Sequence, residues 1–569
     1  MVSFVAESVN ASKRVVLVER AFLILSVVLG AFQAWIGRYS MGPDGVSYLD
    51  IGDAYLRGDW KAAINGYWGP MYSVVLGTVL HIFKPSMRWE FPIVHLVNFV
   101  VFLGALVCFR IFLRSAAPWI WDSSKTATED VVPLPAEIVV GWSYLLFLCC
   151  SLVLDDLTVV TPDLIVLALI LLLAALLLDL RVQHSLWKFV AFGAVCGLGY
   201  LAKGVMFPLA FVFLGALLFA GKISRARVGR VLLAGVVFLI VSSPFILALS
   251  KAKGRLTYGD TGKLAYAEMV SPKPPPTHWQ GEPVGSGTPL HTTRKILDDP
   301  AVFEYAEPVS GTYPPWYDPS YWNEGMQSQF RLRSQVRVLV ESAKAIVGIL
   351  QRYAALITGI AIFVLLGGRS ALKGIAHEWP LLIIACAGAG IYALVLVLTR
   401  YMAGFVFLFF AAMITGIRLP RNDRLEAVSR NIGLGVALAM VFSLAALMAD
   451  PAYRMMTVGA GPSPGEQIPV AEGLQKMGLQ ANDRVAVFGD GISNYWAHLG
   501  RFKIIAEIDS PNLYGSEFWA LPAAVKMKAY EALGRTPARA IIAWDPPASE
   551  LSQGWKQIGE TQYYVYVLP

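Results

Sequence analysis

Long apolar runs separated by short polar and basic stretches recur along most of the chain, a pattern that predicts membrane-crossing helices. Runs fit to cross about 30 Å of hydrocarbon fall at 15–36, 91–113, 137–153, 159–180, 187–202, 205–221, 230–249, 347–366, 379–398, 402–417 and 431–449. A further apolar stretch, 71–83, is short for a crossing and reads as a juxtamembrane helix lying in the interface. Loop charge decides that choice. With 71–83 not crossing, Lys13/Arg14, Arg114/Lys125, Arg181/Lys188, Lys222/Arg225/Arg227, Arg369/Lys373 and Arg421/Arg424/Arg430 all fall on one side, as the positive-inside rule prefers. The first run has no small-residue cleavage site after it and reads as a retained span. Eleven spans then place the N-terminus in the cytoplasm. Loop 37–90, loop 251–346 and the tail beyond Asp450 lie outside.

The tail changes period. Residues 466–478 have helical apolar spacing, 484–489 read as a buried strand, 502–508, 538–543 and 563–568 as further strands, and 521–533 as a helix. The expected fold class is therefore an all-α polytopic bundle of about eleven transmembrane helices over 1–450, followed by a small exterior α/β domain over 451–569. Gly489-Asp490-Gly491 lacks the third glycine of a dinucleotide-binding loop and reads as a plain strand-to-helix turn.

Composition supports the membrane class: 56% of the 569 residues are hydrophobic and 15% charged, and the mean hydropathy is +0.55. A soluble chain of this length has too little polar surface to cover so much apolar material. The net charge of +7 sits in short loops between spans, which makes it a topology signal and excludes nucleic acid as the partner. The five cysteines all lie in apolar runs without metal spacing, as packing residues.

Ionisable groups bordering membrane spans are costly and mark functional sites. Asp44 follows the first span in Gly-Pro-Asp-Gly-Val-Ser-Tyr-Leu-Asp (42–50). Asp155, Asp156 and Asp163 cluster around the turn 154–163. Lys203 separates two short spans, and Arg400-Tyr401 precedes another. On the topology above all four places lie at the exterior membrane surface. Each also has a plainer reading. Pro-Asp-Gly is a turn sequence, Asp155 and Asp156 suit a solvated turn, and Asp163 suits a helix N-terminus. Lys203 can reach headgroups, and Arg400 and Tyr401 can anchor in the interface. Loop 251–346 is rich in proline and aromatics, with Tyr-Pro-Pro-Trp-Tyr-Asp-Pro-Ser-Tyr-Trp at 313–322. It serves either as a rigid cover or as a set of rings for sugar faces.

Taken together, Pro43-Asp44 with Tyr48, Gly69-Pro70, Thr161-Pro162-Asp163, Gly197-Leu-Gly-Tyr-Leu-Ala-Lys203-Gly204 and Arg400-Tyr401 resemble the GT-C superfamily of integral-membrane glycosyltransferases. The resemblance covers roughly 10–450. It is strongest to the branch holding protein O-mannosyltransferases and the aminoarabinose transferases that modify lipid A. The chain departs from that pattern at His95 and Asn98, where relatives often carry an arginine, and neither loop 251–346 nor the tail has a counterpart in it.

The resemblance implies transfer of a sugar from a polyprenyl-phosphate donor to an acceptor hydroxyl on a lipid, glycan or protein, at the periplasmic face of a bacterial inner membrane. Asp44 is then the expected general base of an inverting reaction, with Asp163 as a second catalytic carboxylate. Lys203, Arg400 and Tyr401 are expected at the lipid phosphate. Asp155, Asp156, Tyr48, Trp316, Tyr317 and Trp322 are further candidates for substrate contact. No cofactor is expected, although the Asp155/Asp156 pair leaves room for a divalent ion. The alternative is a transporter or flippase of lipid-linked sugars, against which the charges gather at one face and no inverted repeat is visible.

Overall fold

The structure is a computed structural model and describes residues 2–121, 131–457, 464–489, 491–510 and 516–568. Lys125 and Asp490, used above in the topology and loop readings, lie outside them. Among the described residues eight helices are long and apolar enough to cross a membrane: Lys13–Ile36, Met87–Pro118, Ala136–Leu154, Asp163–Val182, Arg225–Lys253, Ala354–His377, Thr399–Gly416 and Asp423–Ala449. Leu186–Ala202, Met206–Phe219 and Trp379–Ala393 are apolar but shorter. Each of the eleven expected spans thus has its helix. The chain is a multi-pass membrane protein.

Two differences from the expected pattern have physical causes. The run 347–366 is divided between an amphipathic helix, Leu332–Gln351, and the apolar helix that starts at Ala354. Arg333, Arg337, Glu341 and Lys344 supply the polar side of the first, which is why apolar periodicity located only its end. The juxtamembrane stretch is the helix Pro70–Phe83, and it lies against Pro43–Leu56. There Gly52 and Gly77 bring the two backbones so close that an added Cβ on Gly52 would stand 2.4 Å from the Ser73 carbonyl oxygen.

The strands, in chain order, are β1 (Val131–Pro133), β2 (Arg294–Leu297), β3 (Val302–Glu304), β4 (Arg418–Pro420), β5 (Arg484–Phe488), β6 (Lys503–Ile508), β7 (Ala540–Trp544), β8 (Lys556–Gln557) and β9 (Tyr563–Val567). β1 and β4 form a small antiparallel pair. The other seven form one sheet in the order β2-β3-β6-β5-β7-β9-β8. Its centre, β6-β5-β7, is parallel and buried on both faces, as parallel strands require. The four strands expected in the tail are present. The sequence reading missed that β2 and β3 come from loop 251–346, so that the sheet is built by two distant segments.

One apolar core fills the bundle. A second runs without a break from Tyr48, Trp68 and Tyr72 through Tyr305, Tyr313 and Trp322 to Val485, Trp496 and Ile504. Loop 37–90, loop 251–346 and the tail therefore pack together around this second core.

Candidate active site

Four helix ends and one turn converge beneath the sheet domain. Pro43–Leu56 carries Asp44 in its first turn. The helix Ala136–Cys149 continues as a π-turn, Cys150–Leu154, directly before Asp155; such turns recur at functional sites. Pro162 caps the helix that begins at Asp163, where the dipole favours a carboxylate. Lys203 ends Leu186–Ala202 in extended conformation. Arg400 lies in the first turn of Thr399–Gly416, whose N-cap, Leu398, makes no side-chain cap. A cation there opposes the helix dipole. The Tyr401 amide of that turn donates to the Leu398 carbonyl at 3.1 Å.

The charges meet. Arg400 Nη2 donates to Asp44 Oδ2 at 3.1 Å, and Arg400 Nε stands 3.4 Å from Asp163 Oδ2. Lys203 Nζ bonds Asp163 Oδ1 and sits 3.6 Å from the centroid of the Tyr401 ring, a cation–π contact. Tyr401 stacks on Tyr392 at 4.9 Å. Burial pushes the Asp44 carboxyl above the usual range, and Arg400 and Lys203 draw it part of the way back. Burial, together with Asp163, raises Asp155 well above it. Asp163 Oδ2, Asp155 Oδ2, Thr161 Oγ1 and Arg400 Nε are buried and make no hydrogen bond among the described residues. Buried polar atoms are ordinarily satisfied; here Arg400 Nε and Asp163 Oδ2 have each other as an ion pair without a hydrogen bond, and Asp155 Oδ2 and Thr161 Oγ1 have no hydrogen bond among the described residues.

The remaining candidates divide. Tyr48 packs edge-on against Trp68 and Tyr72 beside Asp44 and Asp163. Trp316 faces Asp44, and its carbonyl accepts from Ser47 Oγ and Trp68 Nε1. Tyr317 instead ties loop to loop, donating to the Ala62 carbonyl at 2.7 Å. Trp322 is buried against Tyr305 and Tyr321, away from the charges. Asp156 closes its own turn by accepting from Thr158 N at 2.8 Å, whereas Asp155 lies within electrostatic reach of Asp163, Lys203 and Arg400 as well as of Asp156. Among the described residues no group of three His, Cys, Asp or Glu side chains suits a metal ion.

His95 and Asn98 have a structural part. His95 contacts the carbonyls of Leu157 and Ser40, and Asn98 Nδ2 donates to those of Leu157 and Val159. They hold the turn that presents Asp155 and Asp163. Sequence reasoning missed Tyr392 and also Glu90, which opens a span and met the same border criterion as Asp44.

No family model matches the sequence, and no curated protein does. Solved structures match by fold. ArnT from Cupriavidus metallidurans bound to undecaprenyl phosphate is 13% identical, with a TM-score of 0.52 over 96% of this chain and 97% of its own. An Archaeoglobus fulgidus oligosaccharyltransferase tethered with an acceptor peptide is 12% identical, with a TM-score of 0.48 over 92% of this chain and 69% of its own. The architecture implied by the motif resemblance is the one observed, and the chain has the GT-C fold.

Proposed function

We propose that the chain is a membrane glycosyltransferase that moves a sugar from a polyprenyl-phosphate donor to an acceptor hydroxyl at the periplasmic face of a bacterial inner membrane. The observation that carries this reading is the Asp44–Arg400–Asp163–Lys203 cluster, with its unsatisfied atoms, at the ends of apolar helices. The GT-C fold supports it. In this reading the acceptor hydroxyl passes its proton to Asp44 as its oxygen attacks the anomeric carbon. The bond from that carbon to the phosphate oxygen breaks, configuration inverts, and polyprenyl phosphate leaves as an anion that needs no general acid. Arg400 and Lys203 take up its charge. Asp163 orients them and faces the positive charge developing on the ring. A phosphate arriving at Arg400 competes with Asp44 for the guanidinium and frees the base for proton transfer.

The test is release of lipid phosphate from a panel of polyprenyl-phosphate sugars, by wild type and by Asp44→Asn. Release by wild type alone supports the reading and names the donor. Equal binding or movement of the lipids by both proteins, without cleavage, would favour the transporter.

A further inference from the structure

The helix that carries Asp44 is only 14 residues long, and a helix that short takes its position from what it touches. Asp50, further along it, meets both other exterior segments at once. Its Oδ1 lies 2.7 Å from Nδ1 of His498 in the tail, and its Oδ2 accepts from Thr312 N of loop 251–346 at 2.5 Å. His498 Nε2 lies 2.6 Å from Glu90 Oε1. Arg501 Nη2 donates to the other Glu90 oxygen at 2.7 Å. From Thr312 the chain continues to Trp316, whose carbonyl accepts from Ser47 on that same helix. Lys203, Asp163 and Arg400 stand on other elements and touch none of these groups.

We propose that His498 is a positioning residue for the transfer step: held as an imidazolium between Asp50 and Glu90, it seats the sheet domain on the helix that carries Asp44 and so sets the placement of the base. The proposal rests on Asp44 being that base. Each ring nitrogen of His498 faces a carboxylate oxygen, so both must carry protons to be satisfied. The charged groups in contact with it are Asp50, Glu90 and Arg501, with Lys503 acting on Asp50; Asp53, His81 and Lys84 line the cavity that it shares with Glu90 and Arg501. Burial pulls the imidazole down, but Glu90 and Asp50 outweigh it and raise it to about 9. Above that pH one nitrogen presents a lone pair to a carboxylate, and the seat loosens.

Two measurements on the full chain test this. In lipid-phosphate release between pH 6 and 10, His498→Gln is expected to lower kcat roughly tenfold to a hundredfold, the scale of a misplaced reacting group. The donor KM stays within about twofold, because the phosphate cations are elsewhere. The basic limb of the wild-type profile near pH 9 disappears. Arg501→Gln, at a half-exposed side chain, removes a neighbouring cation without emptying the core and is expected to move that limb to higher pH. Hydrogen exchange of 43–56 supplies a readout independent of turnover: protection falls from pH 7 to pH 10 in wild type and is already low at pH 7 in His498→Gln. Unchanged protection in His498→Gln, or an unmoved limb in Arg501→Gln, overturns the proposal. Failure of the base assignment is separate, since it appears as normal turnover in Asp44→Asn.

Discussion

Two clusters of buried charge lie along one short helix, and they are satisfied very differently. Around Asp50, all four carboxylate oxygens of Asp50 and Glu90 and both nitrogens of His498 have partners. The His498 side chain is 2% exposed. Around Asp44, the carboxylate is 23% exposed and shares Arg400 with Asp163, while buried oxygens of Asp155 and Asp163 have no hydrogen bond among the described residues. A charge set that closes on itself holds structure. A set left open, despite the cost of each unsatisfied atom, is suited to receive something. Composition alone does not separate them, because both mix acids with cations.

The largest expected effect comes from Asp44→Asn. It is predicted to cut turnover by about 10²–10⁴, the contribution of a positioned base, with membrane insertion and thermal stability unchanged. Lipid-phosphate release beside a melting curve checks it, and equal losses in both would erase the contrast between the clusters. His498→Ala is the mirror case. It leaves Glu90 and Asp50 buried against each other and is predicted to destabilise docking of the sheet domain by about 3–5 kcal/mol, read as faster proteolysis within 464–568.

The same cluster carries a pH dependence with a definite sign. His498 is raised from its ordinary value near 6.5 to about 9. Its contribution is therefore complete below about pH 6.5 and lost as pH rises to about 9, an effect on the order of 3 kcal/mol. Asp50 is lowered to about 2 by His498 and its other partners despite burial. Its contribution holds above about pH 4 and is lost as pH falls towards 2. Domain docking followed by proteolysis across pH is predicted to weaken at both ends.

Smaller effects sharpen the comparison. Arg400→Lys keeps the charge and loses the planar fork, so the donor KM is predicted to rise roughly tenfold with little change in stability. Tyr317→Phe removes one loop-to-loop hydrogen bond and is predicted to cost about 1 kcal/mol without altering turnover. A large loss of turnover there would place Tyr317 at the substrate after all.

Much of the candidate site was legible because charge at a membrane border is expensive: Asp44, Asp163, Lys203 and Arg400 each stand out against an apolar run. The aromatic loop was less legible. Trp316 reaches Asp44 and Trp322 does not, yet both belong to one stretch of similar composition, and only the short helices at Pro314–Tyr317 and Pro319–Trp322 decide which way each ring faces. β2 and β3 were missed because they are short and half polar, with partners far along the chain. The register of β2 on β3 and of β3 on β6 exists only once the sheet has formed.

Apolar periodicity acts locally on the chain, and from it alone came the membrane class, the eleven apolar helices and the four main strands of the tail. Only the tertiary structure decided that loop 251–346 completes the tail's sheet. It alone brought Asp50, Glu90 and His498 together from three distant segments, and made one charge cluster closed and the other open. Those outcomes depend on which atoms meet across hundreds of residues, and hydrogen-bond satisfaction is a property of such meetings rather than of any residue's place in the chain.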